Sequence, residues 1–307
     1  MPLCIARYVN REHMTLECEV VTPMFLGGAN QNEDQNAELR TAPFKAMLRY
    51  WWRALYGNSD ANMAKTESEL FGNTEKKAPF SIYVVPTNGP CAVRSGGFPK
   101  SGKYVAISKQ RKFTLKIIDY LAYGIAQYDN GSKRNVYQRN HIPPGQKFRI
   151  IIDNIPAGRE NEILMAAHAL ARFGGVGARS HNGFGSFAIL NNKQPAQFLA
   201  KGNMTSFPTI NSKAILFTTD KAYPTWEEAL SEVAIAYREA RLKLEQRHNF
   251  NRRGFIARPI TAKGEYIPAE IEDGRHPKSL YLHAVSYTHL RAHETPEHLV
   301  CRLLLEK

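Results

Sequence analysis

The chain has 307 residues, enough for a sizeable core and for two domains, and its 43% hydrophobic and 10% aromatic content excludes a disordered polymer. Its 41 Lys+Arg against 28 Asp+Glu leave a formal net charge of +13, which suits a polyanionic partner without saying which one. Four scattered cysteines (Cys4, Cys18, Cys91, Cys301) form no C-x-x-C pair, and no apolar run nears the ~20 residues of a membrane span, which argues against a zinc knuckle, a disulfide framework and a membrane helix.

In chain order, "HMTLECEVV" (13–21) alternates apolar and polar residues and predicts a half-buried strand, which "TPMFLGG" ends in a loop. "RTAPFKAMLRYWWRALYG" (40–57) predicts a helix with Thr41 as N-cap, Pro43 in the first turn and Gly57 at its end. "PFSIYVVP" (79–86) and "QKFRIIID" (146–153) predict two more strands, "ENEILMAAHALARFGG" (160–175) a second helix and "FGSFAIL" (184–190) a fourth strand. Strand, helix, strand, insertion, strand, helix, strand is the split βαβ order of a ferredoxin-like domain, which RNA-recognition modules share. The insertion, 87–145, is loop-rich with a candidate strand pair in "YVAISKQRKFTLKII". From Arg94 through Arg149 there are 12 Lys/Arg and two acids, Asp119 and Asp129.

After a linker near 191–212, "AILFTT" (214–219) predicts a strand and "TWEEALSEVAIAYREARLKLEQ" (225–246) a long helix with a Thr225/Glu228 capping box; "SLYLHAV" (279–285) predicts a further strand. The expected class is α+β with tandem ferredoxin-like (RRM-like, βαββαβ) domains, the first over 1–192 with its basic insertion at about 87–145, the second over 193–285 and incomplete. Residues 286–307 resemble a translated sequencing-adapter read-through and are set aside as an artefactual tail. Its His289, His293 and His298 lack the surrounding helix a metal site would need, so no metal or other cofactor is expected. A cytoplasmic location with reduced thiols is the expectation for the whole.

"GGVGARSHNGFGSF" (174–187) packs five glycines around Arg179, Ser180 and His181. Phosphate-binding glycine loops follow a strand and open a helix, whereas this one follows a helix and opens a strand, which argues against Rossmann and P-loop readings. A helix C-cap at Gly174 or Gly175 and a turn at Asn182-Gly183 account for some of the glycines. The remainder suggest backbone thin enough for a ligand to approach, with Arg179 gripping a sugar-phosphate chain.

On the first helix, Phe44, Met47, Leu48, Trp51 and Leu55 recur at helical steps and form a buried face, while Lys45, Arg49, Trp52 or Arg53, and Tyr56 fall on another. Tryptophans at this spacing are commonly core, and Trp51 is expected there. A basic stripe with an aromatic beside it, and no acid between Arg40 and Arg53, is also a surface that holds phosphates and stacks bases.

Four segments in order, "TPMFLGGA", "AELRTAPFKAMLRYWWRALYG", "SELFGN" and "GGVGARSHNGFGSF", together resemble the RAMP superfamily, specifically the head subunit of type III-B CRISPR (Cmr) effector complexes. The second unit resembles it more weakly, through "WEEAL" and "RHPKSLYLH". The resemblance implies a non-catalytic, RNA-binding subunit whose partners are guide (CRISPR) RNA, nearby target RNA and other RAMP subunits, with contacts near the 3′ part of the guide. Carried onto this chain, it implies RNA contacts by Arg40, Lys45, Arg49, Trp52 and Arg53, and by Gly174, Gly175, Gly177, Arg179, Ser180 and Gly183. His181 stands where such loops commonly carry a more basic residue, which leaves its charge open; it completes the candidate set.

Three functions compete. The first is that RNA-binding subunit, not an enzyme. The second is a metal-independent endoribonuclease that processes guide RNA, with His181 as acid or base and His141 as another candidate; an exposed or satisfied loop histidine is the plainer reading of each. The third is a ribosome or assembly factor, against which the ordered motifs and the absence of an RNP-type aromatic signature both count.

Overall fold

The computed structural model describes residues 12–28, 37–57, 62–89, 103–108, 111–137, 139–192, 215–219, 221–244, 278 and 280–287, with shorter pieces at 91, 93, 256, 260–262, 265–267 and 298–305. Along the first unit run β1 (Glu12–Val20), α1 (Thr41–Tyr56), α2 (Asn62–Phe71) and β2 (Ser81–Pro86). The insertion holds β3 (Lys103–Ser108), β4 (Arg111–Lys116), α3 (Ile117–Leu121), β5 (Ala126–Asp129) and β6 (Arg134–Tyr137). Then come β7 (Lys147–Ile155), α4 (Glu160–Phe173) and β8 (Phe187–Ile189), and in the second unit β9 (Ile215–Thr218), α5 (Trp226–Lys243), β10 (Ile260–Ala262), β11 (Glu265–Ile267), β12 (Leu280–Tyr287) and β13 (His298–Leu305).

The fold is mixed α and β with antiparallel sheets. In the first, the order is β2-β7-β1-β8, so the long β1 and β7 lie in the centre and pair from Glu12↔Ile155 to Glu19↔Lys147. Alternation decides its inner face. Leu16, Cys18 and Val20 of β1, Ile82 and Val84 of β2, and Phe148, Ile150 and Ile152 of β7 are buried in one core with α1 and α4, while Glu17 and Glu19 fall on the other face. Phe44 of α1 meets Phe148 and Phe187 edge-on or tilted at 5.5 and 5.9 Å, which locks helix to sheet. The candidate strand pair of the insertion is present as β3 and β4, and the insertion also folds a short helix and a second pair that periodicity did not reveal.

Two boundaries differ in cause. Arg40, not Thr41, is the N-cap residue of α1, and it makes no side-chain cap bond. On α5 the predicted cap is present, Thr225 Oγ1 accepting from the Glu228 N–H at 3.3 Å. From residue 193 to 214 the linker lies outside the described residues, as do His289 and His293. Part of the segment set aside as a tail pairs as a strand: β13 lies between β12 and β9.

The two units share a core. Trp226, Leu230, Val233 and Tyr237 of α5 pack with Leu280 and Leu282 of β12, with Ile117, Ile118 and Leu121 of α3, and with Phe25 and Phe184 of the first unit. At this seam the His283 Nε2–H donates to the Ala171 carbonyl at 2.9 Å, leaving Nδ1 to accept from the Ser186 hydroxyl at 3.0 Å. These polar groups are buried, and pairing them across the seam satisfies them.

Candidate RNA interface

The glycine loop runs from the end of α4 into β8, and its glycines face the protein itself. A Cβ on Gly174 would lie 2.4 Å from Trp51 Nε1, on Gly175 2.7 Å from the Phe184 carbonyl oxygen, and on Gly177 2.5 Å from that of Phe25. On Gly183 it would meet Leu230 Cδ1 of α5 at 2.4 Å, and on Gly185 the Val176 carbonyl oxygen at 2.0 Å. Backbone thinned for a ligand is therefore the wrong reason for these glycines. They let the loop fold onto α1, onto the segment after β1 and onto α5. Several of its N–H groups are spent internally, Val176 on the Gly185 carbonyl, Ala178 on that of Phe25 and Gly185 on that of Pro23.

What the loop offers outward is its tip. Arg179 is exposed and takes a left-handed backbone with φ 61°, held by the Asn182 N–H on its own carbonyl at 2.8 Å. Its guanidinium lies against Gly124, where a Cβ would sit 2.2 Å from Nη2. Next along the chain, the Tyr123 ring is 74% exposed. Ser180 beside Arg179 is half-buried.

His181 turns inward. Its Nδ1 donates to the Lys278 carbonyl at 3.2 Å and its ring lies 4.1 Å from that of Tyr281. Burial pushes it down to about 4, with the Lys278 ammonium adding to the shift and the carbonyl bond opposing it. At neutral pH it is uncharged. The other histidine considered, His141, is buried between Phe25 and Tyr137, with ring centroids at 5.3 and 5.4 Å.

On α1 the stripe divides. Trp52 is 2% exposed, donates from Nε1 to Glu162 at 2.9 Å and packs on Phe71 of α2 at 5.8 Å, so it is a core residue and has no face for a base. The missing acid is supplied by α2: buried Glu67 pairs with Arg49 and, at 3.2 Å, with Arg53. Arg40 and Lys45 are half-buried. Lys45 lies over the Phe80 ring at 5.6 Å, and its pKa is lowered by burial and by the nearby charges of Arg49 and Lys77.

Sequence reasoning missed Tyr123, Lys278 and Arg241. Lys278 Nζ donates to the Asn182 Oδ1 at 2.6 Å and to the His181 carbonyl at 3.2 Å, and sits 4.2 Å from the Tyr237 ring centre. Arg241 of α5 donates from Nη1 to the Tyr120 hydroxyl at 2.7 Å. Lys278 lies in "RHPKSLYLH", already part of the resemblance; nothing local distinguishes Arg241 from any solvated helix cation. No group of three or more His, Cys, Asp or Glu able to hold a metal occurs among the described residues.

Residues 17–188 match the family model of the RAMP superfamily. The chain belongs to the RAMP superfamily. Within it, this RAMP protein is 26% identical over 158 residues to the CRISPR system Cmr subunit Cmr1-1 of Pyrococcus furiosus, a match covering 50% of this chain and 41% of that one. With Cmr1-2 of the same organism it shares 23% over 184 residues, 56% of this chain and 92% of the relative. The chain thus spans under half of one relative and nearly all of the other. Its fold is similar to the crystal structure of apo Cmr1 from P. furiosus, with TM-score 0.53, 15% identity and coverage of 96% and 87%. It is also similar to a chain of the type III-B Cmr-beta complex solved by cryo-EM with cognate target RNA, AMPPnP and ssDNA, with TM-score 0.51, 13% identity and coverage of 95% and 94%.

Proposed function

We propose that this chain is a Cmr1-like, RNA-binding and non-catalytic subunit of a type III-B CRISPR effector complex, contacting the 3′ part of the guide RNA and nearby target RNA alongside other RAMP subunits. The observation that carries this is the RAMP match over 17–188, with Cmr1 subunits among its relatives. The order β2-β7-β1-β8 with α1 and α4 covering one face supports reading the first unit as ferredoxin-like and the second as an incomplete copy.

In this reading the phosphate chain is met by Arg179 and Ser180 at the loop tip, with Tyr123 offering a ring to a base, and by Arg40 and Lys45 at the start of α1. Arg49 and Arg53 contribute through whatever guanidinium N–H groups Glu67 leaves them. Gly174, Gly175, Gly177 and Gly183 shape the loop and do not grip. Neutral His181 adds no charge, and an imidazole titrating near 4 is a poor acid or base at pH 7, which weighs against the endoribonuclease alternative.

The test is binding of a labelled single-stranded RNA by the purified chain over a salt series, together with co-purification with the other effector subunits. We expect tight binding at low salt that weakens steeply as salt rises, little base preference and stable association with those subunits. Absence of both RNA affinity and association would refute the proposal.

A further inference from the structure

Three cations converge where the two units meet. Lys278 Nζ lies beneath the loop on Asn182 and the His181 carbonyl; Arg241 approaches from α5, fixed by Tyr120 of α3; Arg179 comes from the loop tip across Gly124. The segments are tied together independently of these charges, since Asn182 Nδ2 donates to the Leu121 carbonyl at 2.7 Å and the Tyr120 and Tyr237 rings lie 6.4 Å apart. Among the described residues no carboxylate pairs with Arg179, Arg241 or Lys278. The Arg241 Nε is buried and without a hydrogen-bond partner. Like charges gathered without a counter-ion raise the free energy of the fold, so an anion that completes the group is strongly favoured.

We propose that Arg179, Lys278 and Arg241 form one phosphate-binding site across the seam, taking a phosphodiester of single-stranded RNA. The inference rests on the RNA-binding reading above and adds the second unit to the interface. Burial and the charges of Arg241 and Arg179 lower Lys278 to about 7, the behaviour of an ammonium lacking its anion. The groups facing it are Tyr237 and Arg241 of α5 and Arg179 and His181 of the loop, with Tyr120 of α3 behind Arg241 and Tyr237. Burial raises Tyr237 to about 12 and lowers His181 to about 4, so neither titrates between pH 6 and 9. A bound phosphate would return the proton to Lys278, so RNA affinity should fall as pH rises through that range.

The experiment measures anisotropy of a fluorescein-labelled single-stranded RNA on the full chain and on Lys278→Met, Arg241→Met and Arg179→Ala, with a melting temperature for each. Lys278→Met should weaken RNA binding about tenfold and flatten the pH dependence, while leaving the free protein as stable or more stable. The combined Lys278→Met and Arg179→Ala variant should lose less than the product of the single losses, because both cations hold one phosphate. Unchanged RNA affinity in Lys278→Met and Arg241→Met, with Arg179→Ala weakened, overturns the shared site and leaves the functional proposal standing. Variants that lose melting temperature and affinity together assign the cations a structural role and also overturn it. A wild-type chain that binds no RNA overturns the shared site as well, and refutes the functional proposal itself if it also fails to associate with the other effector subunits.

Discussion

His181 shows how a loop residue in a basic protein becomes neutral: packed on Tyr281 and bonded to the Lys278 carbonyl, it gives up hydration that its cation would need. Its folded pKa, about 4, lies below the ordinary 6.5, so the unfolded chain binds the extra proton first. The stability this linkage confers is complete above pH 6.5 and is lost as pH falls through 4. Melting temperatures across pH 4 to 7 should therefore drop less steeply in His181→Gln than in the wild type. Gly177 makes the second residue-scale case. At φ +101°, with the Phe25 carbonyl oxygen 2.5 Å from any Cβ, Gly177→Ala should cost about 3 kcal/mol by denaturant melting, a folding defect and not a contact defect.

Among the elements, α2 alters the meaning of α1. The face carrying Phe44, Leu48, Trp51 and Leu55 was legible from helical spacing because all four are buried in the one core that also holds the inner face of the sheet and α4. Trp52 was misread as open to RNA and the Arg49–Arg53 pair as lacking an acid beside it, because spacing along one helix reveals a second face but not what covers it. Phe71 and Glu67 of α2 do, one packing on the indole and the other pairing with both guanidinium groups. We expect Trp52→Phe to lose the Glu162 hydrogen bond and about 1–2 kcal/mol of stability while leaving RNA affinity within twofold. A large affinity loss in a fully folded Trp52→Phe variant would return this residue to the interface.

Over the whole molecule, one loop serves both units. Gly183 lets Leu230 of α5 close on the loop, Phe184 enters the shared core, and Ser186 meets His283 beneath it. Gly183→Ala would set a methyl 2.4 Å from Leu230 Cδ1 at a φ of +87°, and should lower the melting temperature and speed proteolysis near α5. Limited proteolysis followed by mass spectrometry checks this; cleavage as slow as in wild type would mean the seam adapts.

Local and periodic information was enough for β1, α1, β2, β7, α4, β8, β9, α5 and β12, each predicted to within a few residues. Alternation and helical spacing are properties of a segment and its burial on one side. The four ordered motifs carried the superfamily for the same reason, being contiguous stretches. Tertiary structure alone decided what the glycines admit, where Trp52 points, which acid pairs with α1, and that Lys278 and Arg241 approach Arg179 across the seam. These depend on segments distant in the chain meeting in space, and charge or packing between them has no period a single segment can display.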